Sequence, residues 1–135
     1  MEQVAALPWR QGEKGLEVML ITSRETRRWV IPKGGLMTGK TEAEAAAQEA
    51  YEEAGVQGDL TSRPIGHFRY DKRLKSGQMQ PTRVAVYPLE VFIQLGSYPE
   101  VGQRDLRWMS PEEAAASVHE ADLAKLIRGF NPRID

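Results

Sequence analysis

The stretch Pro32 to Val56, PKGGLMTGKTEAEAAAQEAYEEAGV, constrains this chain more than any other. Thr41 is a good N-cap and Glu44 stands three residues on, which makes a capping box. Six alanines follow within thirteen residues, and alanine is the strongest helix former. Gly55 occupies the place where a left-handed C-terminal residue is wanted. These signals predict a glycine-bearing loop followed by a helix from Glu42 to Ala54.

Glu49, Glu52 and Glu53 stand at i, i+3 and i+4, so at roughly 100° per residue they share one helix face, with Glu42 and Ala45. Ala43, Ala47, Ala50 and Ala54 form a small-residue stripe suited to close packing on a sheet. Like charges at this spacing oppose a helix by roughly 0.2–0.5 kcal/mol per pair. No lysine or arginine lies inside the helix to offset them, whereas a bound divalent cation would. Carboxylate oxygens alone suit Mg²⁺ or Mn²⁺. An isolated E-x-x-E-E is more often a solvated surface, but the residues around this one weigh against that reading.

The stretch resembles the Nudix box, G-x5-E-x7-R-E-U-x-E-E-x-G-U, where U is aliphatic. Gly34 opens it, and Glu49, Ala50, Glu52, Glu53, Gly55 and Val56 match its C-terminal half. Lys40 and Gln48 stand where the family has its first glutamate and its arginine, so both members of a supporting ion pair are replaced together. The resemblance extends beyond the box (residues 34–56) to L-I-T-S-R, R-W-V-I-P-K-G-G and R-W-M-S-P-E-E-A. In detail it is most similar to the diphosphoinositol-polyphosphate phosphohydrolase branch and its bacterial relatives.

What the resemblance implies is an α+β fold, a Nudix-type α/β/α sandwich with a mixed sheet, that hydrolyses a P–O–P bond with Mg²⁺ or Mn²⁺. Glu49, Glu53 and the main-chain carbonyl of Lys33 would hold the metal, and Glu52 would take the proton of the attacking water. Spacing does not separate Glu52 from Glu53, since both share a face with Glu49. Ser23, Arg24, Gly34, Gly35, Arg83 and Arg104 would contact substrate.

At 135 residues the chain is one domain, 1–135, large enough for a single core. It has no cysteine, no signal peptide and no apolar run near bilayer length, so a cytoplasmic location is expected. A net charge of −1 points to neither nucleic acid nor membrane as partner. A monomer or homodimer acting on a small polyphosphate is expected. The distribution of charge says more. Arg24, Arg27, Arg28 and Lys33 precede the acidic helix, and Arg63, Arg69, Lys72, Arg73, Lys75 and Arg83 follow it. Ten of the eighteen basic residues therefore flank the carboxylates, which suits a substrate carrying several phosphates. The branch's basic run before the first strand is replaced by Met1-Glu2-Gln3, so dinucleoside polyphosphates stay open beside inositol pyrophosphates. A non-catalytic sensor of a phosphorylated ligand and a hydrolase of nucleoside triphosphates or RNA 5′ ends are the alternatives.

Coarse reading places strands at 4–10, 16–22 and 29–31, one bent strand over 59–70, and a long strand at 82–95 that Pro88 interrupts. Residues 71–81 read as a polar loop, 96–103 as another, and 105–109 as a last strand. Helices are predicted from Pro111 to about Val118, with a second capping box, and from Ala121 to Gly129. Glu100 is a candidate additional acid near the metal. His67, His119, Trp29 and Trp108 read as structural; Tyr70, Tyr87 and Phe92 read as core or strand-face residues that could instead stack a nucleobase.

Overall fold

The computed structural model describes residues 1–132. Among the described residues the chain forms β1 (Glu2–Gly12), β2 (Gly15–Thr22), β3 (Trp29–Val30), β4 (Lys33–Gly35), α1 (Glu42–Ala54), β5 (Val56–Leu60), β6 (Gly66–Arg73), β7 (Met79–Gln94), β8 (Leu106–Met109), α2 (Pro111–Ser117) and α3 (Ala121–Gly129). The strands join one mixed sheet in which β1 and β7 run parallel and the other pairs antiparallel.

Alternation along the central strands divides the core in two. Val4, Ala6, Met19 and Ile21 pack with the alanines of α1. Ala5, Leu7, Val18 and Leu20 pack with Leu123, Ile127 and Phe130 on the opposite face, where α2 and α3 lie. The result is the expected three-layer α+β sandwich.

β1 and β2 pair only through their hairpin ends, from Trp9 opposite Val18 to Gly12 opposite Gly15. Beyond that they part. β3 pairs with β2 at Ile21 and Thr22, while β4 pairs with β1 at Gln3 to Ala5. The segment Lys33–Gly35, read from sequence as loop, is therefore a short strand. It carries the chain from the split in the sheet into α1.

Three further expectations are corrected. Residues 59–70 form no single bent strand: β5 ends at Leu60, the segment containing Pro64 leaves the sheet, and β6 starts at Gly66. Both pair with β7, along different halves of it. Pro88 does not interrupt β7, because it falls between the last rung to β6 at Val86 and the first to β5 at Leu89. On that flank the missing N–H has no partner to lose. The supposed loop 71–81 is mostly strand, closed by a tight turn in which Leu74 N–H donates to the Gln78 carbonyl at 2.8 Å.

Helix α1 spans the predicted residues, with both arms of its capping box formed and Gly55 in the left-handed region at φ 68°. Ala43, Ala46, Ala50 and Ala54 face the sheet; Ala47, expected among them, is partly exposed, and Ala45 is buried instead. Glu53 stands seven residues after Ala46, on the edge of this stripe, and is only 7% exposed. α2 ends at Ser117, and only one arm of its predicted capping box forms: Ser110 accepts from Glu113 N–H, while the Glu113 carboxylate turns to Arg107 at 3.0 Å.

Candidate active site

Two backbone features fix the carboxylates of α1. The first is Gly34 on β4. A Cβ there would run into the Glu49 carboxylate, so the strand passes that side chain at a distance only glycine allows. The second is the loop after β7. Glu100 N–H donates to the Glu52 carbonyl at 3.0 Å, which brings the Glu100 carboxylate to the end of α1.

Arg104 sits among the acids and is itself largely buried, its side chain 10% exposed. Its guanidinium lies 3.2 Å from Glu100 and 3.7 Å from Glu53, and also donates to the Thr22 carbonyl at 3.3 Å. One guanidinium does not neutralise three carboxylates. Burial pushes the Glu49 carboxyl up to about 7, with repulsion from Glu52 and Glu100 adding to it and Arg104 opposing. Burial likewise pushes Glu53 up to about 7 against the pull of Arg104, helped by Glu49 and Glu100. Glu52 is held differently: the Gln48 side-chain amide donates to it at 2.7 Å.

Among the described residues no three His, Cys, Asp or Glu side chains are gathered into a ready-made metal cage. The cause is visible in the partners: Glu53 and Glu100 turn toward Arg104, and Glu52 toward Gln48. The donor set nonetheless fits a hard divalent cation. It is all oxygen, it carries more carboxylates than Arg104 can offset, and burial with the neighbouring carboxylates raises the proton affinity of Glu49 and Glu53.

A cavity of about 720 Å³ lies beside this cluster, joined to it by Lys33 and Arg104, which line it. Its other cations are Arg24 and Arg28 from the segment between β2 and β3, and Lys72 and Arg73 from β6. Phe68, Tyr70 and Met79 supply an apolar wall. The Lys33 ammonium stands 4.9 Å from the Tyr70 ring centroid. Burial pulls its pKa down; Glu53 and Glu120 counter that, while Arg104 and Arg28 reinforce it.

A NUDIX domain model matches residues 1–130. The chain belongs to the Nudix family. It is 34% identical to Nudix hydrolase 16 of Arabidopsis thaliana, over 87% of this chain and 67% of that protein. It is 33% identical to human diphosphoinositol polyphosphate phosphohydrolase 3-beta, over 97% of this chain and 80% of that one. The chain spans about half the length of three further curated Arabidopsis thaliana relatives, 53% for Nudix hydrolase 13. Among solved structures, a Caenorhabditis elegans Ap4A hydrolase superposes with a TM-score of 0.64 at 21% identity, covering 94% of this chain and 92% of that one. The Escherichia coli dihydroneopterin triphosphate pyrophosphohydrolase does so at 0.72 and 17%, covering 96% and 93%. At such identities these two structures speak for the fold.

With the Nudix box located, each predicted residue can be placed. Gly34 lies against the Glu49 carboxylate, which feels the charges of Glu52 and Glu53 on the same helix, and Gly35 is exposed. Ser23 lines the cavity, but its hydroxyl is engaged with Thr26 at 2.6 Å and accepts from Arg28 N–H at 3.1 Å. Arg24 reaches the cavity and bonds Gln103 at 3.3 Å. Arg104 lies inside the acidic cluster as well as on the cavity wall. Arg83 is not brought to this cavity. Strand register sets it opposite Glu2, which it meets at 3.5 Å, and it lines a separate hollow with Met1 and Pro81. Arg27 is spent on Asp105 at 2.8 Å.

Glu100 does join the cluster; its signal was to be the single acid in the loop 96–104. Tyr87 is buried, Phe92 is a strand-face residue of β7 and 61% exposed, and Trp29 and Trp108 are partly buried. The Gln48–Glu52 bond and the place of Glu120 on the cavity wall escaped sequence reading, because Gln48 departs from the arginine of its box position and Glu120 lies outside the box.

Proposed function

We propose that this Nudix domain is a Mg²⁺-dependent pyrophosphohydrolase that cleaves a P–O–P bond in a dinucleoside polyphosphate or a diphosphoinositol polyphosphate. The observation that carries this reading is the junction of the two regions: carboxylates packed against Gly34, beside a cavity lined by six cationic side chains. Neither half alone would need the other. Together they fit an anionic substrate whose reacting phosphate sits at the acids and whose remaining phosphates lie among arginines and lysines.

Glu49 and Glu53, with the Lys33 main-chain carbonyl, would hold Mg²⁺, or Mn²⁺ in its place. Bound there, the ion supplies Lewis-acid polarisation of a phosphoryl oxygen. Glu52 is the base of choice, since its carboxylate is held by a neutral amide and not by the Arg104 guanidinium. A water oxygen forms a bond to phosphorus, its proton passes to Glu52, and the bridging P–O bond breaks. The leaving group departs as a phosphate anion. Lys33 and Arg104, between cluster and cavity, hold the phosphates on either side of the breaking bond.

A phosphate-release screen with Mg²⁺ and with Mn²⁺, over diadenosine polyphosphates, inositol pyrophosphates and nucleoside triphosphates, tests the reading. Glu52→Gln should lower kcat by about 10²–10⁴-fold. Glu53→Gln should lower it at least as far and raise the Mg²⁺ concentration needed. Full turnover by both variants would sink the proposal.

A further inference from the structure

The cavity wall is not uniformly basic. Three acids stand on it, Glu25, Asp71 and Glu120. Glu25 and Asp71 are exposed, whereas Glu120 is partly buried. It lies at the start of α3, where the isolated bridge between Trp29 and Val118 draws the chain against β3. From there it lines the cavity together with Lys33 and Tyr70, and its charge is felt by both.

Helix geometry does not explain this carboxylate. Glu120 is the N-cap residue of α3, yet its side chain makes no capping hydrogen bond. Among the described residues it forms no side-chain hydrogen bond or ion pair. Two acceptor oxygens thus face a cavity that otherwise attracts anions. A phosphate brought against them is repelled, while an N–H or O–H donor is welcomed. The neighbouring Tyr70 and Met79 offer an apolar surface, unsuited to a second phosphate cluster but suited to a flat ring.

We propose that Glu120 sets specificity, selecting a substrate with a neutral, donor-bearing nucleoside end over an inositol ring that carries phosphate on every side. The phosphates lie toward Arg24 and Arg104; the base or ribose lies against Tyr70 with its amino or hydroxyl hydrogens on the Glu120 carboxylate. This rests on the hydrolase reading above and narrows its two substrate classes to one.

The test compares kcat/KM for diadenosine pentaphosphate and for a diphosphoinositol pentakisphosphate in the wild-type chain, Glu120→Gln and Glu120→Lys. The wild type should favour the dinucleotide by on the order of tenfold or more. Glu120→Gln should narrow the preference, and Glu120→Lys should narrow it by at least tenfold or invert it, with melting temperatures near wild type since no cap bond is lost. A wild type that prefers the inositol substrate, or a preference unmoved by Glu120→Lys, overturns the proposal. Equilibrium affinities of the same two ligands for Glu52→Gln and for Glu52→Gln/Glu120→Lys separate the two levels. If nothing is turned over but binding preference shifts with residue 120, the hydrolase reading falls and the specificity role stands. If turnover depends on Glu52 while neither kcat/KM nor affinity ratios respond to residue 120, the reverse holds.

Discussion

The carboxylate face of α1 and the cationic cavity next to it are built on opposite principles. Glu49, Glu52 and Glu53 come from five consecutive residues of one helix, and that helix is capped at both ends and packed by alanines. Their mutual placement follows from helical spacing alone. The cavity draws Arg24 and Arg28 from the segment after β2, Lys33 from β4, Lys72 and Arg73 from β6 and Arg104 from the loop before β8. Nothing local relates these residues; the split between β1 and β2, filled by β3 and β4, brings them together. A motif thus sets the chemistry, and the topology sets what the chemistry acts on.

If the acidic side is a rigid constellation, small displacements there should cost rate and not affinity. The largest such effect should come from Gly34→Ala. The added methyl meets the Glu49 carboxylate, and one of the two must move. Misplacement by about an ångström can cost about 10²-fold in rate. Steady-state kinetics should show this loss in kcat with KM little changed, and circular dichroism an intact fold. A Gly34→Ala enzyme with wild-type kcat would mean that the position of Glu49 is not fixed by β4.

A smaller effect should come from Gln48→Leu. Gln48 stands where the family has an arginine, and its amide donates to Glu52, not to Glu49. Loss of a residue that orients a reacting group costs about 10–100-fold. The kcat should fall within that range, and adding Gln48→Leu to Glu52→Gln should cost nothing further, since the partner it orients is already disabled. Additive losses would make Gln48 merely structural.

The same contrast explains what the sequence disclosed. Helix α1 was legible to the residue because Thr41, Glu44, the alanines and Gly55 all act locally. α3 was legible through the helical spacing of Leu123, Leu126, Ile127 and Phe130 along one face. The strands after α1 were misread because Pro64 and Pro88 look alike in sequence, yet one marks a departure from the sheet and the other falls in a gap between two partners. The fate of each arginine was hidden for a related reason. Arg83 and Arg24 both look like phosphate contacts, and only cross-strand register shows that Arg83 faces Glu2. Ala47 was put in the wrong stripe because the buried face of α1 is turned toward the acidic one, so that Ala45 and Glu53 belong to both.

That shared position of Glu53 gives the mildest test, and it needs no substitution. The folded-state pKa of Glu49 and of Glu53 is raised from 4.5 to about 7, with burial the first cause and neighbouring carboxylates adding to it. A raised carboxyl binds its proton more tightly folded than unfolded, so its favourable contribution is complete below pH 4.5 and is lost as pH rises through 7. Metal-free protein should therefore lose a few degrees of melting temperature across that window. A divalent cation competes with those protons for the same oxygens, so it binds best where they are already gone. Added Mg²⁺ should raise the melting temperature more at about pH 7.5 than at about pH 5.5, and Glu53→Gln should flatten the difference. A pH-independent rise with Mg²⁺ would place the cation away from these carboxylates and separate the acidic face from the chemistry assigned to it.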